Sequence, residues 1–318
     1  MNKIIPITIL TGFLGSGKTT LLNTLFEKYP TKKFAIIENE VGSINIDNQL
    51  INYSKEGIFE LSNGCVCCSL NDDLKKTLNK LVIQYNDFDH ILIETTGIAD
   101  PSIVVSSILN DIHFQGIFAI DGVVALADAQ HFFKMIDKEP LFKKQLAFAD
   151  VILINKIDKI TEEQLLKVEE AINIINPLAN KEKTNYAKFQ ENDILNLLAY
   201  KIKVVEQQTE LAVIQDQELV HHEVTSFAFT FEQDFDVQKL TNWINAILLI
   251  NAGNIYRIKG ILSCKGQSQR IVLQSVYTDY VMGKGSIWQN EQQISKIIFI
   301  GKNIDKMMFR EGLKSCIS

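Results

Sequence analysis

Short apolar runs bounded by turn residues recur through the first half of the chain, at residues 4–10, 34–37, 91–93, 123–127 and 151–154. Each is continuous rather than alternating, the pattern of strands covered on both faces, so together they predict a buried parallel sheet. Between them, residues 19–28 and 72–84 repeat Leu and Ile at helical spacing with charges on the opposite side. That spacing predicts crossover helices and a doubly wound, mainly parallel α/β fold. Near residues 203–222 the pattern gives way to a Gln- and Glu-rich stretch ending in His221 and His222. We read this change as the boundary between a first domain over 1–210 and a second over 220–318. Beyond it, Thr225, Phe227, Phe229 and Phe231 alternate as in a strand, and residues 237–250 are amphipathic at helical period. Further strands fit residues 255–262, 271–277 and 297–300, and a terminal helix fits 304–314. The second half therefore predicts a smaller α+β domain.

At 318 residues the chain exceeds the usual size of one domain, which agrees with two. Hydrophobic residues at 46% against charged residues at 22% supply apolar surface for real cores and exclude a disordered chain. A net charge of -6 gives no general attraction to nucleic acid or anionic lipid, so any phosphate must be held by local geometry. The N-terminus reaches Gly12 too soon to hold a signal peptide, and no apolar run is long enough to span a bilayer. The expectation is a cytoplasmic protein that binds neither membranes nor nucleic acid.

Gly12-Phe13-Leu14-Gly15-Ser16-Gly17-Lys18-Thr19 has the spacing of a phosphate-binding loop and its required context, after an apolar strand and at the start of a helix. Glycines let the backbone curl so that successive N–H groups face a β-phosphate, and the helix N-terminus adds its positive end. Gly12, Gly15, Ser16, Gly17, Lys18, Thr19 and Thr20 are therefore the candidate phosphate contacts. Lys18 should bridge the β- and γ-phosphates, and Thr19 should place its hydroxyl on Mg²⁺.

The run at 91–93 ends in Glu94-Thr95-Thr96-Gly97. An acid there can hold Mg²⁺ through a water, and a glycine can bring its N–H to the γ-phosphate, so that a switch loop senses the difference between triphosphate and diphosphate. After a later strand comes Asn155-Lys156-Ile157-Asp158. The Asp158 carboxylate can accept two hydrogen bonds from guanine, whereas adenine would leave the acid unpaired. Asn155 should contact the base edge and Lys156 should pack its stem over the ring. These elements predict a P-loop NTPase that hydrolyses GTP to GDP and phosphate. No glutamine that orients water and no arginine finger is evident, so intrinsic turnover should be slow.

Ser62-Asn63-Gly64-Cys65-Val66-Cys67-Cys68-Ser69-Leu70 gathers three of the chain's five cysteines. In a reducing compartment such thiols bind metal, do redox chemistry or fill apolar gaps more readily than they build a disulfide framework. Thiolates are soft ligands suited to Zn²⁺ or Cu(I), and two or three from one loop fill most of a tetrahedral site. Cys264 is read as a packing residue and Cys316 as part of a frayed tail.

With these motifs the chain resembles the CobW and nitrile-hydratase-activator type of P-loop GTPases, which includes zinc metallochaperones. The resemblance is carried by residues 12–19, by Glu38-Asn39-Glu40-Val41-Gly42, by the CxCC loop, by residues 94–97 and 155–158, and by Arg257-Ile258-Lys259-Gly260. It implies that the CxCC loop binds zinc or a related transition metal, with ligands among Glu38, Cys65, Cys67 and Cys68 and with Glu40 nearby. It further implies that GTP hydrolysis gates transfer of the metal to a client metalloprotein. Homo-oligomers are compatible with this reading. Ser43 follows Gly42 where relatives carry a second acid, which leaves one peripheral ligand without a counterpart. Asp111 and His113 lie where relatives offer another metal-binding side chain. His221 and His222 read as solvated in a polar linker, and His90 and His131 have no motif around them. The rival reading is a regulatory or assembly GTPase with a structural zinc; a small-molecule kinase is disfavoured by the guanine motif and by the lack of an arginine-rich lid.

Overall fold

All five apolar runs of the first half are strands in the structure, a computed structural model that describes residues 4–38, 58–60, 69–84, 88–97, 99–189, 194–211, 219–221, 224–276, 278–289 and 292–318. The chain divides into two units, Met1–Val168 with Ala179–Leu198 and Glu169–Leu178 with Ala199–Ser318. In chain order the first half holds β1 (Ile5–Gly12), α1 (Lys18–Lys28), β2 (Phe34–Glu38), β3 (Ile58–Glu60), α2 (Ser69–Gln84) and β4 (His90–Glu94). Next come α3 (Pro101–Leu109), β5 (Phe118–Asp128), α4 (Phe132–Lys138), α5 (Pro140–Phe148), β6 (Val151–Asn155), α6 (Glu162–Ile175) and β7 (Asn180–Thr184).

Among the described residues these strands form a seven-stranded sheet in the order β3-β2-β4-β1-β5-β6-β7, parallel at every pairing. Parallel neighbours must be joined by crossovers, and the helices that cross leave no strand face to water. Ile7, Ile9, Leu10, Ile36, Ile37, Leu92 and Ile152 are accordingly buried on both faces. With polar groups displaced from the faces, ligand chemistry in such a sheet belongs at the carboxyl ends of the strands. There β1 ends in Gly12, β4 in Glu94 and β6 in Asn155.

The second half continues with α7 (Ile202–Leu211), β8 (Leu219–His221), β9 (Val224–Phe231), α8 (Val237–Ile250), β10 (Ile255–Leu262), β11 (Gln269–Val276), β12 (Asp279–Ile287), β13 (Ser295–Lys302) and α9 (Lys306–Ser315). Six strands pair antiparallel among the described residues, in the order β12-β11-β10-β13-β9-β8. Alternation sends Phe227, Phe229, Ile258, Leu273 and Phe299 into one core with Leu240, Ile244 and Phe309 of α8 and α9. Rings close this core edge to face, Phe299 and Phe309 at 4.9 Å.

Part of the Gln- and Glu-rich stretch is a helix rather than a linker. In α7, Glu206 pairs with Arg270 of β11 at 3.1 Å, and Gln208 accepts from the Lys259 ammonium. The C-terminal tail is ordered, against the frayed end that its sequence suggests. Cys316 is buried, Asp236 N–H donates to its carbonyl at 2.9 Å, and Ser318 N–H donates to Asp234 O at 3.0 Å. Cys264 packs in the same core, where burial first and the Asp234 and Asp236 carboxylates second push its thiol up to about 11. A thiol so protonated is no nucleophile at neutral pH.

Candidate nucleotide site and metal loop

The phosphate loop is shaped by three glycines, two of which leave no room for a side chain. Gly12, Gly15 and Gly17 all have positive φ, and Gly17 is the residue from which α1 starts. A Cβ on Gly12 would lie 2.6 Å from Leu126 O, and one on Gly17 would lie 2.5 Å from Asn155 Nδ2. Inside the loop, Ser16 N–H donates to Phe13 O at 3.1 Å, while the Ser16 hydroxyl is buried without a hydrogen-bond partner. An orphaned hydroxyl in a cradle of glycine backbone at a helix N-terminus fits an anionic phosphate. The Lys18 ammonium donates to Gly12 O at 2.9 Å and Phe13 O at 3.4 Å, and lies 4.0 Å from Glu94. Lys18 and Glu94, distant in sequence, are thus brought together, with Thr19 half-buried and Thr20 exposed on the first turn of α1.

Glu94 has a neighbour that matters. Leu10 pairs with Glu94 across β1 and β4, Glu94 with Glu38 across β4 and β2, and Glu38 with Glu60 across β2 and β3. Three adjacent parallel strands therefore end on glutamates at one register. Asn39, Glu40, Ser43, Cys65, Cys67, Cys68 and His222 lie outside the described residues, as do the side chains of Glu38 and His221. Described residues resume at Ser69, the first residue of α2. No group of His, Cys, Asp and Glu among the described residues could hold a metal ion.

The loop after β4 presses against the phosphate loop. Thr95 donates its N–H to Leu10 O at 2.9 Å, and a Cβ on Gly97 would lie 2.6 Å from Leu14 N. From α5, Gln145 Nε2 donates to both Gly97 O and Ala99 O at 3.1 Å, and Lys144 pairs with Asp100, the N-cap of α3.

The guanine-type motif is held by residues that the motif does not contain. Asn155 is buried, donates to Ser16 O at 2.8 Å and accepts from Ala187 N–H at 3.0 Å. Its amide therefore also braces the phosphate loop against the turn after β7. Asn185 of that turn accepts from Asp158 N–H at 2.9 Å. The Asp158 carboxylate is exposed, with Lys159 at 3.0 Å. Lys156, at φ 61, reaches back so that its ammonium meets Gly15 O and Asp128 Oδ2, each at 2.7 Å. Burial pushes the Asp128 carboxyl up, but hydrogen bonds from Lys156 and His131 outweigh it and hold it below the ordinary Asp range. Asp128, Gln145, Asn185 and Ala187 carry no motif of their own; the only sequence hint is a polar residue next to an apolar run.

Asp111, His90 and His131 have structural partners. Asp111 pairs with Lys75 of α2 at 3.0 Å and accepts from His113 N–H, and the Lys75 bond lowers its pKa most. The His113 side chain is exposed. His90 is fully buried, with Nε2 2.8 Å from Thr8 Oγ1 and 3.9 Å from Asp121. His131 sits on Asp128 at 3.1 Å.

Two family models match the chain. One, described as CobW/HypB/UreG, nucleotide-binding domain, covers residues 6–181; the other, the cobalamin synthesis protein cobW C-terminal domain, covers 224–317. Zinc chaperone YjiA of Escherichia coli is 30% identical over 307 residues, 95% of each chain. A zinc-regulated GTPase metalloprotein activator 1 of Schizosaccharomyces pombe is 37% identical over 62% of this chain and 50% of its own length. The crystal structure of Zn(II)-bound YjiA GTPase from E. coli superposes with TM-score 0.78 at 25% identity, covering 99% of this chain and 100% of that one.

Proposed function

Because the chain belongs to the CobW/HypB/UreG family, we propose that it is a GTP-hydrolysing metallochaperone that carries zinc, or a related transition metal, on its CxCC loop to a client metalloprotein. Its GTP/GDP state governs the transfer. The observation that carries this reading is the pairing of Glu38 with Glu94, which sets the strand end that leads into the metal segment beside the acid of the nucleotide site. A shift at one strand end is felt by the other through the ladder they share. The nucleotide and metal functions fall to residues 1–210 and partner recognition to 220–318.

At the nucleotide site each side chain has a defined task. Lys18 exchanges its two loop carbonyls for β- and γ-phosphate oxygens, a trade of neutral for charge-assisted hydrogen bonds. Asp158 reads the guanine edge, with Asn185 fixing its backbone and Asn155 and Lys156 tying base side to phosphate side. Gly97 offers its N–H to the γ-phosphate. Thr19 and Glu94 would hold Mg²⁺, which offsets the charge that develops on the transferring phosphoryl group. At the metal site the ligands are Glu38 with Cys65, Cys67 and Cys68. The client is a protein that receives a metal ion, and the cell compartment is the cytoplasm. Among the described residues no helix is long and apolar enough to cross a membrane.

Linkage makes the coupling reciprocal, so any factor by which GTP changes metal affinity is the factor by which metal changes GTP affinity. Replacing Cys67 and Cys68 together by Ala is expected to abolish tight zinc binding and the effect of zinc on GTP affinity, leaving GTP binding intact. A double variant whose GTP affinity still responds to zinc sinks the assignment.

A further inference from the structure

We infer that Gln145 of α5 is a positioning residue for hydrolysis, setting where the loop after β4 presents Gly97 to the γ-phosphate. The inference rests on the reading of Gly97 given above.

Gln145 is fully buried, yet it does not serve its own helix. Its Nε2 reaches Gly97 O and Ala99 O, each at 3.1 Å, and so grips both sides of one short turn. Both acceptors are carbonyl oxygens, so the amide must face them with its nitrogen; reversed, three oxygens would meet. The Oε1 is then directed away, buried and without a hydrogen-bond partner. A side chain retained only to fill this space would be apolar, because an apolar group of the same shape strands no acceptor. The amide is therefore explained by the two carbonyls it holds.

What those carbonyls belong to gives the grip its consequence. Gly97 packs so closely on the phosphate loop that a Cβ would lie 2.6 Å from Leu14 N and 3.2 Å from Phe13 C. Displacing the turn by a fraction of that distance changes how the Gly97 N–H approaches a phosphate. On the far side, Lys144 pairs with Asp100, whose carboxylate caps α3 through Ser102 N–H at 3.0 Å. Two successive residues of α5 thus fix the turn, Gln145 at Gly97 and Ala99 and Lys144 at its exit into α3. A loop fixed by buried donors is preorganised, so it discriminates triphosphate from diphosphate without ordering itself on binding. Losing the donor converts that preorganisation into a cost paid only by the triphosphate state.

Gln145→Met keeps length and burial while removing the donor. We expect affinity for a non-hydrolysable GTP analogue with Mg²⁺ to fall about tenfold, affinity for GDP to stay within about twofold, and single-turnover hydrolysis to slow about tenfold. Lys144→Met, at a partly exposed position, should act in the same direction by about threefold and keeps the test open if the first variant does not fold. Gly97→Ala serves as the reference. If it abolishes the preference for the analogue while both α5 variants keep wild-type preference and hydrolysis, Gln145 is only structural and the inference falls. If none of the three variants alters the preference, the reading of Gly97 itself falls. A Gln145→Met protein with a lower melting temperature but equal losses for GDP and analogue also overturns the positioning role.

Discussion

The two sheets put their polar residues in opposite places. In the parallel sheet of the first unit, strand interiors are apolar on both faces, and Gly12, Glu38, Glu94 and Asn155 stand at the carboxyl ends. In the antiparallel sheet of the second unit, β10 alternates, so Ile258 and Leu262 enter the aromatic core while Arg257 and Lys259, also buried, flank Ile258 on either side in sequence. There Lys259 meets Gln208 and the neighbouring Arg270 of β11 meets Glu206. Crossover helices leave a parallel sheet no face for charge, which pushes chemistry into the loops at strand ends. Hairpins leave one face of an antiparallel sheet free, and a polar helix can cover it. Polar side chains inside the parallel sheet are bonded where they are charged or ring-bearing: Thr8 bridges His90 and Asp121, and Asp121 also accepts from Leu198 N–H at 2.9 Å.

The comparison predicts that damage to the second sheet costs mainly stability, whereas damage to the strand ends of the first costs mainly chemistry and little stability. The largest effect should come from Phe299→Ala, which opens the ring cluster around Phe227, Trp243 and Phe309. A loss of about 3–5 kcal/mol in denaturant unfolding of the second unit is expected, with GTP affinity little changed. Asp158→Asn should next cost about a hundredfold in GTP affinity, because an amide offers a donor where guanine needs a second acceptor. Xanthosine triphosphate, with a carbonyl in place of the 2-amino group, should be bound in its stead, and calorimetry with the two nucleotides checks both halves. Unfolding stability should not move.

The smallest effect is electrostatic. The folded pKa of Asp128 is lowered, so its contribution is fully present above the unfolded value of about 3.9 and is lost as pH falls through the folded value. Asp128→Asn should therefore cost on the order of 1 kcal/mol at neutral pH, and the gap to wild type should close in acid. Urea midpoints across that range measure it. A gap that stays constant would show that the bonds to Lys156 and His131 do not depend on the carboxylate charge.

Much of this architecture is legible in the sequence because burial on both faces writes itself as continuous apolar runs. The helix Val237–Ile250 and the strand Ile255–Leu262 lie where the pattern puts them. What escapes is polar structure. The edge strand β7 reads Asn180-Lys181-Glu182-Lys183-Thr184 and has no hydrophobic period. The strand β12 carries Gly283 and Gly285, where any Cβ would strike Ile202 and Glu206 of α7, and those glycines mask it as turn. Cys316 reads as a tail residue because its cover, the pairing of Ile317 with Phe235, is remote in sequence. The site divides in the same way. The phosphate loop and Asn155-Lys156-Ile157-Asp158 are contiguous, so spacing alone reveals them. Gln145, Asp128 and Asn185 act only through where the fold sets them, and a single Gln within α5 has no pattern to betray it.

The central claim is that nucleotide state sets metal affinity, and one titration addresses it. Reduced protein is titrated with Zn²⁺ against a chromophoric chelator in the presence of GDP, of a non-hydrolysable GTP analogue with Mg²⁺, and of no nucleotide. The account predicts affinities that differ by about tenfold between nucleotide states, roughly 1.4 kcal/mol of coupling. Equal zinc affinities in all three states would contradict it and leave a GTPase with a structural zinc.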